Sequence, residues 1–172
     1  MLSKNELEFF SDNTSFWGRL SSQEQKEIEN CAFAVSYRKG AKIYGSNKEC
    51  LGLILIETGQ LRAFIESADG KEITLYRLLT FDMCILSASC MMKNISFEIN
   101  IEAEKDTRVL ILPTKCFNKL SESNPAVKSF QLELISSRFS EVMWIFEQYV
   151  FGSAAKRLAS FLVNISLIED TD

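Results

Sequence analysis

From residue 32 to residue 112 the hydrophobic and polar positions form short segments rich in β-branched and aromatic residues, and the most regular of them alternate with period two. The clearest example is the segment from Ile95 to Ala103, in which every second residue is apolar. Such alternation predicts β-strands with one buried face and one solvated face. Turn signals such as Lys39-Gly40 and Thr58-Gly59 separate the strands at short intervals. This spacing favours a small antiparallel barrel or sandwich.

Local signals also predict one hairpin and two helices. Asp69-Gly70 lies between two apolar segments and predicts a hairpin, because this pair readily adopts the positive φ angles of a tight turn. The serines at 21 and 22 are each followed three residues later by Glu or Gln, which forms a capping box and predicts a helix from about Ser22 to Cys31. Asn124-Pro125 predicts the start of a long helix, because Asn caps free amides and Pro is favoured at the first helical position.

The long helix carries an apolar seam with alternating spacings of three and four, which is the a/d pattern of a coiled coil. The seam residues are Leu132, Ile135, Phe139, Val142, Phe146 and Tyr149. The seam predicts pairing with a second copy of the chain, although such a face could instead cover the barrel. Leu134, Met143, Ile145 and Val150 widen the apolar surface, so one set could face the barrel while the seam meets the second copy.

A further helix is predicted after Gly152, from Ser153 to about Ile168. It has an apolar stripe with nothing after it to pack on, and a helix at a terminus usually buries such a stripe. We therefore expect the coding sequence to continue beyond Asp172. Phe151, Gly152 and Ser153 are interpreted as a hinge.

Composition weakens most enzyme hypotheses, because the 172 residues include no histidine. Histidine is the commonest general base near neutral pH and the commonest transition-metal ligand. A metal-dependent barrel enzyme of the cupin type is therefore disfavoured. We predict no enzymatic activity, no catalytic residues, no metal and no cofactor.

Charge and hydropathy limit the partners. The formal net charge is -4 and no run of Lys or Arg is present, so the chain alone is a poor DNA binder. No segment approaches the roughly 18 continuous apolar residues of a transmembrane helix. We therefore expect a cytoplasmic location and no membrane contact.

Five segments, taken in order, resemble one family. They are FWGRLSSQEQKEI, Gly40-Ala-Lys-Ile-Tyr44, LGLILIETGQLRAFI, ADGKEITLYRLLTFD and IEAEKDTRVLILPTKCFNKLSESNP. Their order and spacing resemble the Crp/Fnr family of bacterial transcription regulators. The likeness covers about residues 16 to 168.

The resemblance implies a mainly β fold with flanking helices, namely a cyclic-nucleotide-binding-like jelly roll followed by a long dimerisation helix. The implied domains are a helical segment at 1–31, the β-roll at 32–123, the dimerisation helix at 124–151, and at 152–172 a hinge with the first helix of a truncated DNA-binding domain. It also implies a homodimer that contacts DNA only through a C-terminal domain absent from this chain. Effector binding would then reorient a downstream helix-turn-helix.

The family residues that hold cyclic AMP are missing from the matching positions. Ungapped alignment places Ser87 at the ribose-binding Glu, Phe97 at the phosphate-binding Arg and Glu98 at the neighbouring hydroxyl residue. Val142 and Met143 stand where members that bind cyclic AMP place Thr and Ser. A buried anion without a countercharge is strongly disfavoured, so we do not expect cyclic AMP to bind.

The segment from Met83 to Met92 is rich in soft and small side chains, which line adaptable pockets. The candidate residues for an unknown small-molecule effector are Met83, Cys84, Leu86, Ser87, Ser89, Phe97, Glu98, Val142 and Met143. We expect that effector to be more apolar than cyclic AMP or to use backbone amides. Alternatively, these side chains fill the core, and the chain is a degenerate module that acts only in dimerisation or partner docking.

The cysteines are interpreted as buried thiols that a cytosol would keep reduced. They are Cys31, Cys50, Cys84, Cys90 and Cys116, with no C-x-x-C pair. Their scatter disfavours an iron-sulfur cluster, which needs four closely placed thiolates. A reversible Cys84-Cys90 disulfide is an alternative that the spacing allows.

Overall fold

The computed structural model describes residues 1–44, 51–85 and 99–153, together with residues 155, 158, 159, 162, 163 and 166. Within these residues the chain forms α-helices, β-strands and one 3-10 turn at Trp17–Arg19. The helices are α1 (Lys4–Asn13), α2 (Ser22–Cys31), α3 (Thr114–Ser123) and α4 (Pro125–Phe151). The strands are β1 (Phe33–Tyr37), β2 (Lys42–Tyr44), β3 (Gly52–Thr58), β4 (Leu61–Glu66), β5 (Glu72–Leu78), β6 (Met83–Cys84), β7 (Asn100–Ala103) and β8 (Thr107–Pro113).

The described strands form two four-stranded antiparallel sheets, in the orders β1-β8-β3-β6 and β2-β7-β4-β5. Strand β3 is buried on both faces. Ile54 and Ile56 lie in the apolar core between the sheets, whereas Leu53 and Leu55 lie in a second core shared with the helices. The mainly β fold with flanking helices and a long C-terminal helix is therefore confirmed.

Helix capping follows the sequence prediction. The Ser21 hydroxyl accepts from the Glu24 amide at 3.3 Å, and the Glu24 carboxylate accepts from the Ser21 amide at 2.7 Å, so α2 begins with a capping box. At the start of α4, Asn124 Oδ1 accepts from the Ala126 amide at 2.9 Å and Pro125 follows the cap. Both predicted helix starts are confirmed, because caps depend only on neighbouring residues.

The predicted hairpin is the β4-β5 pair, but its turn is longer than a tight two-residue turn. The strands are joined by residues 67–71, and the Ser67 amide donates to the Lys71 carbonyl at 2.9 Å. Within this turn only Gly70 has a positive φ, of 74°. The hairpin prediction is thus confirmed, whereas the tight Asp-Gly turn was wrong because Ser67 and Lys71 close the loop.

The period-two strand is confirmed over its described part. Ile99, Ile101 and Ala103 are buried, while Asn100 and Glu102 between them are half-buried. Residues 95–98 of the predicted strand lie outside the described residues. Among the described helices, none is long and apolar enough to cross a bilayer.

The cysteine interpretation needs one correction. Cys31 and Cys116 are joined in a disulfide, with Cα atoms 6.8 Å apart and a separation of 85 positions in sequence. The prediction that all cysteines are free thiols was wrong for this pair, because a contact between α2 and α3 brings the two residues together. Cys84 is free and buried. The proposed Cys84-Cys90 pair involves Cys90, which lies outside the described residues.

Candidate effector site between the barrel and the long helix

Strand β6 places the first two candidate effector residues inside the protein. Its partner is β3, with Cys84 opposite Ile54 and Met83 opposite Leu55. Cys84 is packed in the core between the sheets, and Met83 in the core shared with the helices. In the described structure both side chains therefore act as core residues at the base of the candidate site.

Helix α4 passes beside this strand and contributes the other described candidates. Val142 is half-buried and packs against the core between the sheets, whereas Met143 is exposed. The structure thus brings Met83, Cys84 and Val142 to the junction of barrel and helix and leaves Met143 outside it. The remaining candidates, Leu86, Ser87, Ser89, Phe97 and Glu98, lie outside the described residues.

The polar centre of this junction is Arg138, which the sequence analysis missed. Its side chain lies on α4 and the residue is only 8% exposed. Arg138 Nη2 donates to the main-chain carbonyl of Met83 at 3.1 Å, and Nη1 donates to both carboxylate oxygens of Glu141, at 2.8 and 2.7 Å. Nη2 also lies 3.9 Å from Asp82 Oδ1, just before β6. One guanidinium therefore ties α4 to the start of the candidate segment.

Tyr76 of β5 completes the junction. The Arg138 guanidinium lies over its ring, 5.2 Å from the ring centre, which is a cation-π geometry. Burial raises the pKa of Tyr76 well above its usual value of 10, and the nearby Cys84 adds to that rise while Arg138 opposes it. The phenol is thus held in its neutral, donating form.

Two buried polar atoms at this junction have no hydrogen-bond partner among the described residues, namely Tyr76 Oη and Arg138 Nε. An unpaired buried polar group is costly, and such groups are rare in native cores. Both atoms carry a proton that can be donated. The described residues therefore bring two buried donors to the junction of the barrel and α4, beside the Cys84 thiol.

The turn before β6 links the junction to the N-terminal helix. Phe81 has a φ of 74°, which is unusual for a residue other than glycine, and its ring is 60% exposed. That ring stacks on Phe9 of α1, with ring centres 5.6 Å apart. Asp82 Oδ2 accepts from the Leu79 amide at 2.8 Å and closes the turn. The α1 helix, this turn and Arg138 consequently form one chain of contacts.

The seam predicted on α4 is divided between two environments. Ile135 packs on the core shared with the helices and Val142 on the core between the sheets. The other seam residues, Leu132, Phe139, Phe146 and Tyr149, are exposed. The spacing alone did not reveal that two seam positions contact the barrel.

The end of α4 lies where the hinge is predicted. Phe151 is exposed, and the helix ends with the Gly152 amide donating to the Gln148 carbonyl at 3.0 Å. Gly152 itself is extended, with a φ of -78° and a ψ of 133°. The hinge function of Phe151, Gly152 and Ser153 stays a prediction, as do the domain boundaries.

In the described part of the chain, no three His, Cys, Asp or Glu side chains are grouped as a metal site requires.

Comparison with known proteins agrees with this architecture. The sequence model of the cyclic nucleotide-binding domain matches residues 34–124, more than half of the chain. The fold and this match define a cyclic-nucleotide-binding-type domain followed by a long helix. A Crp/Fnr-family protein from Eubacterium rectale, described as a transcriptional regulator, is 42% identical with a TM-score of 0.87, over 92% of this chain and 74% of that one. The chain therefore belongs to the Crp/Fnr family of transcriptional regulators.

More distant structures share the fold. A CooA mutant from Carboxydothermus hydrogenoformans is 25% identical with a TM-score of 0.61, over 88% of this chain and 95% of that one. FixK2 from Bradyrhizobium japonicum is 20% identical with a TM-score of 0.66, over 77% of this chain and 65% of that one. No curated protein sequence gives a significant match.

Proposed function

We propose that this chain is the effector-sensing and dimerisation portion of a Crp/Fnr-type transcription regulator that does not bind cyclic AMP. Effector occupancy beside α4 would change the position of that helix and so reorient a downstream helix-turn-helix. The observation that carries the proposal is the junction at Arg138. There, α4 is hydrogen-bonded to the start of the candidate segment, while two buried donors have no hydrogen-bond partner within residues 1–44, 51–85 and 99–153.

The chemistry of the junction limits the effector. The described side chains at the junction are apolar or soft at Met83, Cys84 and Val142, and the donors are Tyr76 Oη and Arg138 Nε. A small, largely apolar molecule with one carbonyl or carboxylate group would satisfy these donors and bury its remaining surface. Val142 and the exposed Met143 offer no hydroxyl group for a purine base, which supports the loss of cyclic AMP binding.

Arg138 also couples the binding of a ligand to the position of α4. A ligand can shift a conformational equilibrium only if it interacts differently with the two states. An acceptor bound at Arg138 Nε would compete with, or reinforce, the contacts of the same guanidinium with the Met83 carbonyl and with Glu141. Those contacts set the distance of α4 from β6, so binding of the effector at this guanidinium changes the position of α4.

The effector site is tested by thermal unfolding in the presence of butyrate, octanoate, octanamide and cyclic AMP. A ligand that binds only the folded state raises the melting temperature by mass action. We expect a rise of several degrees with at least one acyl compound, lost in Tyr76→Phe, and none with cyclic AMP. Tyr37→Phe, the same substitution on β1 at the opposite edge of the sheet from β6, serves as the control that should retain the rise. Clear stabilisation by micromolar cyclic AMP would contradict the proposal.

The proposed dimer is a symmetric pair that meets through the exposed part of the seam. Leu132, Phe139 and Phe146 are spaced by seven residues, so they lie on one face of α4, and each is more than half exposed. Apolar side chains aligned in this way are stabilised when a second copy covers them. DNA contact is expected only through a further domain, and the chain spans 74% of the Eubacterium rectale protein.

Sedimentation tests the dimer directly. We expect a dimer at tens of micromolar, a monomer for the double variant Phe139→Asp with Phe146→Asp, and a dimer for Ser137→Asp, which is exposed on the opposite side of α4. Each aspartate places a charge on the apolar face, whereas the control places it in solvent. A monomeric wild-type chain at that concentration would argue against the proposal.

A second candidate function follows from the packing of Met83 and Cys84. Because both lie in the cores, the segment they begin could be core filling, and the chain a degenerate module for dimerisation or docking. A dimer that none of the compounds stabilises would favour this candidate. Under either candidate we propose a cytoplasmic protein without enzymatic activity.

A further inference from the structure

The disulfide between Cys31 and Cys116 joins two residues with different environments. Cys31 is the last residue of α2 and is half-buried, so it is the more exposed member of the pair. Cys116 lies in the first turn of α3 and is 7% exposed. A stable disulfide is unusual in a protein of a reducing compartment, where disulfides are mostly transient. The proposed role of this chain, a regulator acting on DNA, would place it in such a compartment.

We propose that Cys31 and Cys116 form a thiol-disulfide exchange site whose chemical partner is a low-molecular-weight thiol and its disulfide. This inference rests on the proposed intracellular role but not on the effector site or the dimer. It assigns Cys31 as the sulfur that is attacked and Cys116 as the leaving group.

The surroundings of the two sulfurs favour that direction of attack. Exchange is faster at the accessible sulfur and when the departing thiolate is stabilised. Cys116 lies at the third position of α3, near the positive end of the helix dipole. Cys31 instead lies at the carboxyl end of α2, with its sulfur 3.6 Å from the Ile28 carbonyl oxygen. The helix ends therefore favour negative charge on Cys116 over Cys31, while the burial of Cys116 opposes it.

The exchange balances without any other reactant. An external thiolate attacks Cys31 Sγ, the bond to Cys116 breaks, and Cys116 leaves as a thiolate while Cys31 carries a mixed disulfide. A second external thiolate attacks the external sulfur of that mixed disulfide and releases Cys31 as a thiolate. The protein disulfide is reduced by two electrons, and two external thiols are oxidised to one disulfide. Oxidation of the protein is the reverse sequence, with the external disulfide as oxidant.

The link connects elements that lead directly into α4. Helices α2 and α3 are also held by the ion pair of Glu27 with Lys119, whose side-chain atoms are 2.6 Å apart. At the other end of α2, Glu24 accepts from Asn124 Nδ2 at 3.1 Å, and Asn124 is the cap of α4. The disulfide thus braces the pair of helices that holds the first turn of α4. Its reduction removes the covalent part of this bracing and leaves the polar contacts and the core packing of Val127.

The test equilibrates the purified 172-residue chain in glutathione buffers of graded reduced-to-oxidised ratio. The reaction is stopped with acid, free thiols are alkylated, and cysteine peptides are quantified by mass spectrometry. We expect the linked Cys31-Cys116 peptide to disappear in reducing buffer and to return fully on reoxidation. Buried Cys84 should stay unmodified throughout and serves as the internal control. Reduction should lower the melting temperature by about 5–15 °C, because the link restricts a long loop of the unfolded chain.

A matched pair of variants tests the assigned direction. In oxidised glutathione, Cys116→Ser should accumulate a glutathione adduct on the accessible Cys31, whereas Cys31→Ser should leave the buried Cys116 largely unmodified. Circular dichroism checks that both variants are folded, and the wild-type peptide map needs no variant. The inference is overturned if the linked peptide never forms, if it persists in the most reducing buffer, or if Cys116 is modified as readily as Cys31.

Discussion

The two halves of α4 differ in what covers them. In the first half, residues 125–138, Val127 is fully buried, Phe130 contacts Phe16 edge to face with ring centres 5.0 Å apart, and Ile135 packs on the core. In the second half, residues 139–151, Phe139, Phe146 and Phe151 are 63%, 58% and 81% exposed. The helix is therefore mainly packed on the core in its first half and mainly exposed in its second half, although both halves are rich in apolar residues.

Arg138 marks the boundary between these halves. It is the last buried residue of α4 among those described, and it binds the Met83 carbonyl on the barrel side. Before it, Val127, Phe130 and Ile135 pack on the core, whereas after it Val142 packs on the barrel and the phenylalanines are exposed. A helix that is rigid at one end and uncovered at the other transmits small rotations at the boundary into larger displacements at its tip. The boundary is thus where a ligand would have the greatest effect.

The largest expected difference between the halves comes from the same substitution made in each. In a Phe139→Asp background that disfavours self-association, Phe130→Ala should lower the free energy of unfolding by about 2 kcal/mol, because it removes a packed ring. Phe146→Ala in that background should change it by less than about 0.5 kcal/mol, as for other exposed positions. Urea unfolding monitored by circular dichroism measures both. Equal losses would show that the second half is packed on the barrel in solution.

The boundary itself is tested by Arg138→Met, which keeps an apolar stem of similar length and removes the charge. The buried Met83 carbonyl then loses its donor, and we expect a loss of about 1–2 kcal/mol in the free energy of unfolding. The Glu141 carboxylate is partly exposed and can be hydrated instead, so Glu141→Gln should cost less than about 0.5 kcal/mol.

Hydrogen exchange adds a local readout for that variant. In Arg138→Met, amide exchange should accelerate over residues 131–137. The first half of the helix would then open locally in the way expected of the exposed second half. Unchanged exchange there would mean that packing before Arg138 suffices to hold the helix.

Features set by neighbouring residues were predictable from the sequence. The start of α2 depends on Ser21 and Glu24, and the start of α4 on Asn124 and Pro125, so the caps could be read directly. The alternation over 99–103 is equally local, because period two follows from strand geometry. The turn of the β4-β5 hairpin was less predictable, since the hydrogen bond between Ser67 and Lys71 decided its length.

Features set by tertiary contacts were not predictable in the same way. Arg138 and Glu141 are three residues apart on a helix and read as an ordinary exposed ion pair, yet the guanidinium is buried against β5 and β6. The only sequence signal was a charged residue between apolar seam positions. The Cys31-Cys116 link has no signal at all, because its members are 85 positions apart in sequence. Spacing likewise could not tell which seam residues face the barrel.

The smallest expected effect concerns the hydroxyl of Tyr76, which faces the boundary. Tyr76→Phe removes a buried polar atom that lacks a described partner, so at neutral pH the free energy of unfolding should be unchanged or raised by up to about 1 kcal/mol. Because burial raises the pKa of Tyr76 in the folded state above its unfolded value near 10, the folded state holds that proton more tightly. This stability is complete below pH 10 and is lost as the pH rises further towards the folded pKa.

Urea unfolding between pH 8 and 11 separates the effect of removing the hydroxyl at neutral pH from the effect of its titration at alkaline pH. The wild-type chain should lose stability above pH 10 more steeply than Tyr76→Phe, in which that titration is absent. Part of the slope should persist in the variant, since burial also raises the pKa of Tyr37. If stability falls equally steeply with pH in both proteins, the Tyr76 phenol is hydrated in solution. The helix α4 would then be open to solvent on either side of Arg138.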